Sequence, residues 1–188
     1  MPTDVSDIDL IHRIAAREED ALRALYAAYG QRMYAYALRL TSDPASAEEA
    51  VQEALIAAWQ QAGRFRGEGR VITWLLGIVH HKALNLLRGR VTDALEEGPD
   101  EPPSAAPLPD DQVMLSEQHS LVRCSLKTLS LEHRMVLELV FYQGLSLSEV
   151  AEVCGCPVGT VKSRLNYAKT SLRGALHRAG LNAEDVEG

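Results

Sequence analysis

The sequence is poor in the residues that define several other protein classes. Cysteine occurs three times, at Cys124, Cys154 and Cys156. So small and odd a number implies no disulfide framework. Cys154 and Cys156 stand in C-x-C spacing with no second pair and no histidine at finger spacing. They read as small buried apolar residues rather than metal ligands, and neither a metal nor another cofactor is expected. The longest apolar run, WLLGIV at 74–79, falls far short of the ~20 residues of a spanning helix. The first ten residues, MPTDVSDIDL, carry acids where a secretory signal carries bases, so the chain is expected in the cytoplasm. There is no nucleophile–base constellation, phosphate-cradling glycine loop or ligand cluster, so neither an enzyme nor a small-molecule substrate is expected. Aromatic residues make up only 5% against an apolar fraction of 46%, which suits small folded helical domains. The 188 residues suffice for one ordinary domain or two small ones.

A formal charge of −7 argues at first against a nucleic-acid partner, but its distribution reverses that impression. Residues 1–90 hold 11 acids and 11 bases, and residues 112–188 hold 8 of each. The other seven acids, Asp93, Glu96, Glu97, Asp100, Glu101, Asp110 and Asp111, lie in 91–111 with five prolines and no base. Such a stretch cannot bury enough apolar surface to offset its ordering entropy. It reads as a flexible acidic linker between two helical domains, 1–90 and 112–188.

Both flanks show helical rather than strand periodicity, which makes the chain all-α. Leu22, Leu25, Tyr29, Met33, Tyr36 and Leu40 follow the spacing of one buried helix face. Asp43 is placed to cap the next helix, with Pro44 at its first position. That helix turns Ala47, Val51, Ala54, Leu55, Ala58 and Trp59 inward, and Glu48, Glu49, Gln52 and Glu53 to the other side. A glycine-rich break at 63–70 precedes a third helix over about 72–90. The half before the break, 1–63, holds ten acids and five bases. From Arg64 to Arg90 there are six bases and one acid, so the first domain is electrically polarised.

Four helices are expected after the linker, at about 113–127, 131–142, 146–153 and 157–178. Ser146 and Glu149 form a capping-box pattern. A short helix, a turn at Gly155-Cys156-Pro157 and a longer helix follow the helix-turn-helix plan. Val150, Ala151 and Val153 are expected to pack against Val158, Val161 and Leu165. The second helix offers Thr160, Lys162, Ser163, Asn166, Tyr167 and Lys169, with five bases and no acid between Pro157 and Arg178. Cations neutralise phosphates, and hydroxyl and amide groups read base edges. This helix is therefore read as a DNA-binding element rather than a merely solvated face.

GLSLSEVAEVCGCPVGTVKSRLNYAKTSLR resembles the promoter-binding C-terminal region of the sigma-70 family, above all its extracytoplasmic-function (ECF) subgroup. DPASAEEAVQEALIAAW, from Asp43 to Trp59, is similar to the family's polymerase-binding helix. FRGEGRVITWLLGIVHHKALNLLR, from Phe65 to Arg88, resembles its segment that melts and reads the minus-10 element. The resemblance implies a non-enzymatic promoter-specificity factor for core RNA polymerase, contacting the β′ clamp and the β flap. It implies polymerase binding by Glu48, Glu49, Gln52, Glu53, Leu55 and Trp59. It implies minus-10 DNA contacts by Arg66, Gly67, Arg70, Thr73, Trp74, His81, Lys82, Asn85 and Arg88, although Trp74 also reads as core. Minus-35 contacts fall to Thr160, Lys162, Ser163, Arg164, Asn166 and Tyr167. An anti-sigma factor is the implied antagonist, soluble or held at a membrane, and the chain is expected to be a monomer or 1:1 with it. The acidic linker either threads toward the polymerase cleft, as in the family, or serves as a solubilising tether.

His80 and His81 replace a common Arg-Asn pair, Asn85 stands where Asp is frequent, and Ser130 replaces a frequent proline. Asn166-Tyr167-Ala168-Lys169 replaces a more basic run. Adjacent histidines point in different directions on a helix, so a shared switch is not expected of His80 and His81. The competing reading is a conventional helix-turn-helix regulator that binds an operator without core polymerase. It leaves the N-terminal motifs unexplained, and a palindromic operator requires a dimer.

Overall fold

The structure, a computed structural model, describes residues 5–97 and 129–178. Among the described residues all regular structure is helical, as the periodicity predicts. Among the described residues two compact units result, 5–97 with 152–154, and 129–151 with 155–178. The expected helix at 113–127 and the linker beyond residue 97 lie outside the described residues, as does Cys124.

The first unit begins with α1 (Val5–Ala15), which the sequence reading did not assign. Its Ile11 and Ile14 are fully buried. Arg17, in the left-handed region at φ 68°, turns the chain into α2 (Glu19–Thr41). Tyr29 donates a hydrogen bond to the Asp7 carboxylate, fastening α1 to α2. Burial, and then this bond, push the Tyr29 hydroxyl up to about 12. Leu25, Met33, Tyr36 and Leu40 are buried as the spacing requires, whereas Leu22 and Tyr29 are half-buried.

Helix α3 (Pro44–Gln61) starts at Asp43, whose carboxylate accepts from Ser46 N at 2.9 Å, with Pro44 in the first turn. Ala47, Val51, Ala54 and Ala58 are buried, while Leu55 and Trp59 are half-buried at the edge of that face. The small alanines let α2, α3 and α4 approach closely, and each of these helices packs on the other two. A 3-10 turn (Ala62–Arg64) leads into the glycine-rich loop.

Helix α4 spans Val71–Glu97, seven residues beyond the predicted end at Arg90. Ala, Leu and Glu in VTDALEE favour the helix and no proline interrupts it before Pro99. Asp93, Glu96 and Glu97 are therefore helical, and the candidate linker begins inside a helix. Val71, Leu75, Leu76, Val79 and Ala83 are buried at helical spacing, the larger of them contributing on the order of 2 kcal/mol each.

In the second unit the helix expected over 131–142 is α5 (Leu131–Leu137), continued by a π-helical turn (Glu138–Tyr142). Gly144, at φ 65°, closes it. The capping box opens α6 (Leu147–Cys154): Ser146 N donates to Glu149 Oε2 at 2.8 Å, and Glu149 N donates to Ser146 Oγ at 3.3 Å. Helix α7 spans Val158–Arg178. Val150, Ala151 and Val161 are buried, and Leu165 packs on Leu129, Leu137 and Ala168. Val158 departs from the expectation, being 36% exposed; as the first residue of α7 it overhangs the edge of the core.

Candidate polymerase and DNA interfaces

On α3, Glu48, Glu49, Gln52 and Glu53 are all exposed, because three- and four-residue steps return them to the face opposite the buried alanines. Ile56, four residues beyond Gln52, lies on the same stripe and is 52% exposed. Sequence reasoning missed it, although the spacing from Gln52 was the available signal. Trp59 lies at the end of the helix, where Arg17 covers it. The Arg17 guanidinium sits 5.4 Å from the Trp59 ring centre and donates to the Trp59 carbonyl at 3.0 Å. One cation thus meets both an aromatic face and the negative end of a helix.

The loop before α4 exposes Arg66 and Gly67 and half-buries Arg70. Gly67 and Gly69 have φ of 72° and 140°, a backbone that side-chain-bearing residues rarely adopt. Trp74 is half-buried and packs on Phe65 with ring centres 5.2 Å apart, so it is neither full core nor free. Thr73 is 2% exposed, and its side chain does not reach the surface with the rest of the group. Arg32, which the sequence reading did not single out, has its guanidinium pKa lowered by burial and then by nearby Arg70.

Along α4, His81, Asn85 and Arg88 are exposed and Lys82 is half-buried, with Lys82 Nζ 2.8 Å from Glu53 Oε2. His80 turns the other way: it is 2% exposed and shares a 2.8 Å hydrogen bond between Nδ1 and Tyr36 Oη. Burial, with a smaller contribution from His81, lowers its pKa to about 4. The neighbours therefore occupy different surroundings, as helical geometry requires.

On α7, Lys162, Ser163, Asn166 and Tyr167 are exposed, with Thr160 and Arg164 half-buried beside them. Ser163 Oγ donates to the Thr160 carbonyl at 3.0 Å. Two contacts from α5 hold this face. Tyr167 stacks on His133 with ring centres 4.4 Å apart, and Arg164 Nη2 lies 2.7 Å from Glu132 Oε2. Nearby, Lys169 lies 5.4 Å from the ring centre of the exposed Phe141. His133 and Glu132 were not singled out from sequence, because their part is to support α7 from a helix without a motif of its own.

Residues 25–92 match the family model for sigma-70 region 2, and residues 125–174 match that for sigma-70 region 4. The chain is 34% identical over 168 residues to the ECF RNA polymerase sigma factor SigL of Mycobacterium tuberculosis, covering 89% of this chain and 95% of SigL. It is 29% identical over 182 residues to the ECF sigma factor SigK of Mycobacterium sp. (strain KMS), covering 94% of each. Among solved structures, the sigma factor RpoE in complex with the anti-sigma factor NepR, from Bartonella quintana, superposes with a TM-score of 0.71 at 26% identity, covering 82% of this chain and 96% of RpoE. CnrH, solved with the cytosolic domain of CnrY, gives 0.67 at 24% identity, covering 92% of this chain and 98% of its own, and is alike in fold. Helical architecture, the order of the two matched regions and the likeness to SigL along nearly its whole length converge: the chain belongs to the ECF RNA polymerase sigma factors.

Proposed function

We propose that the chain carries out promoter-specific initiation through three surfaces, each built on one helix or on a helix and its preceding loop. The acidic stripe Glu48, Glu49, Gln52 and Glu53, with Ile56 in its line and Leu55 and Trp59 at its edge, docks on the β′ clamp of core polymerase. Apolar Ile56 supplies desolvation and the carboxylates supply orientation and encounter rate. The loop residues Arg66, Gly67 and Arg70, with Trp74, His81, Lys82, Asn85 and Arg88, take the opened minus-10 strand. Cations follow its phosphates, and the Phe65–Trp74 pair offers an aromatic surface to an unstacked base. Thr73, being buried, supports that loop from beneath. The acid-free face of α7, with Thr160, Lys162, Ser163, Arg164, Asn166 and Tyr167, enters the duplex at the minus-35 element, while the same unit contacts the β flap. The domain division at 1–90, 91–111 and 112–188 belongs to this reading, with the helical start of the linker continuing α4.

The observation that carries it is the exposed, electrically opposite character of the α3 stripe and the α7 face, each opposite a buried apolar side. An anti-sigma factor fits as antagonist because such a protein accompanies RpoE in the solved complex; it would act by covering the polymerase-binding surfaces. The decisive experiment is run-off transcription with purified core polymerase on a randomised promoter library. Enrichment of a two-element promoter is the expected outcome. Stable operator binding with no core-dependent initiation would instead establish a conventional regulator.

A further inference from the structure

The turn of the helix-turn-helix holds two thiols whose surroundings differ from the buried apolar setting expected of them. Cys154 ends α6, Gly155 takes the left-handed conformation at φ 61°, and Cys156 N donates to the Ala151 carbonyl at 3.1 Å. That bond closes the helix across a glycine, the residue best able to occupy the position. Neither cysteine is in a disulfide and both are half-exposed. Arg164 reaches back from α7, with Nη1 3.8 Å from Cys156 Sγ and Nη2 on Glu132. The Cys156 sulfur is thus partly open to solvent and to dissolved oxidants. Two trans peptide steps hold the Cα atoms within about 7 Å of each other, and a disulfide requires about 4.4–6.8 Å. Among the described residues no group of three or more His, Cys, Asp or Glu side chains is placed to hold a metal; the chemistry considered for the pair is that of a dithiol.

We propose that Cys154 and Cys156 form a redox-closing pair in this turn, oxidised by hydroperoxides, and that closure alters how α7 is presented to DNA. The Cys156 sulfur attacks the O–O bond of the hydroperoxide and becomes a sulfenic acid, while the other oxygen leaves as the alcohol with the transferred proton. The Cys154 sulfur then attacks the sulfenic sulfur, the S–S bond forms, and water leaves. Two thiols lose two electrons in all, and one hydroperoxide is reduced to an alcohol and water. A bridge spanning one glycine is strained and readily reduced again, as a switch requires and a structural staple does not. Closure draws Cys156 away from the Ala151 carbonyl and removes the thiol that Arg164 meets. Arg164 shares a helical turn with Lys162, Ser163 and Asn166, so the consequence rests on the assignment of α7 to the minus-35 duplex.

The test uses the full-length chain carrying Cys124→Ser, reduced and then treated with tert-butyl hydroperoxide. Peptide mapping is expected to find a Cys154–Cys156 link. Affinity for a minus-35 duplex, measured with the chain bound to core polymerase, is expected to fall about tenfold, the scale of one lost base contact, and to return with dithiothreitol. A further Cys154→Ser/Cys156→Ser change should bind like the reduced protein and ignore the oxidant. Absence of the link, or unchanged duplex affinity in the linked protein, overturns the proposal. If the reduced protein binds no upstream duplex, the assignment of α7 fails and the coupling with it, whereas the mapping still reports the disulfide separately.

Discussion

Lys82 Nζ and Glu53 Oε2 lie 2.8 Å apart, an ion pair that ties α4 to α3. In the proposed division of labour these residues serve opposite partners, Glu53 the polymerase and Lys82 the DNA. Their side chains are 34% and 48% exposed, Lys82 first, so the pair is worth less than about 1 kcal/mol. That weakness allows each member to be redirected at little cost. The exchange Glu53→Lys with Lys82→Glu should hold stability within about 1 kcal/mol of wild type in urea unfolding, while run-off transcription falls well below it. Full transcription by the exchanged protein would assign the pair a purely structural role.

Lys162 stands exposed on the acid-free face of α7. Lys162→Ala should weaken minus-35 duplex binding by about 1–3 kcal/mol if the side chain reads a base, or lower the salt slope by about 1 if it meets phosphate. Titrations at several salt concentrations separate these outcomes, and constancy in both quantities removes Lys162 from the interface.

Asp43 caps α3 through Ser46 and also meets Arg90 Nη2 at 2.7 Å. The Ser46 backbone bond foremost, then the Ser46 side chain and Arg90, hold its pKa below the usual carboxylate value. Its ionised form is thus favoured by folding, and its contribution is present above the ordinary carboxylate range and lost as pH falls through the lowered value. Asp43→Ala should cost about 1 kcal/mol at neutral pH. Asp43→Asn should retain most of the cap but lose this acid dependence, as urea unfolding at several pH values would record.

His80 is buried neutral against Tyr36. With its pKa lowered from 6.5 to about 4, the unfolded chain binds a proton in this interval that the folded chain does not. Its contribution is therefore complete above about 6.5 and is lost as pH falls toward about 4, on the order of 3 kcal/mol in all. The difference in unfolding free energy between wild type and His80→Gln should shrink over that window. A difference independent of pH would mean that His80 titrates alike in both states.

The elements most legible in the sequence were those whose signals are local. Asp43 and Pro44 marked the start of α3, Ser146 and Glu149 that of α6, and Gly155 its end, because caps and turns are settled within a few residues. The exposure of Glu48, Glu49, Gln52 and Glu53 followed from helical periodicity alone. Contacts between helices were not legible in this way. Arg17 over Trp59, Glu53 with Lys82 and His133 against Tyr167 each join residues from separate elements, and no spacing along the chain encodes them. The extension of α4 to Glu97 was hidden by composition: acidic residues and nearby prolines suggested a tether where alanine and leucine sustain a helix. Thr73 illustrates the same limit, since the motif that marks it says nothing of its burial.

The grip of α5 on α7, through Glu132 on Arg164 and His133 on Tyr167, carries a genetic consequence. If α7 reads the minus-35 duplex as proposed, its aim depends on two side chains outside the helix-turn-helix. In a screen for variants that accept an altered minus-35 hexamer, suppressors should therefore arise at Glu132 and His133 as well as along α7. Paralogues differing in promoter choice would then diverge at a helix whose sequence carries no recognition motif.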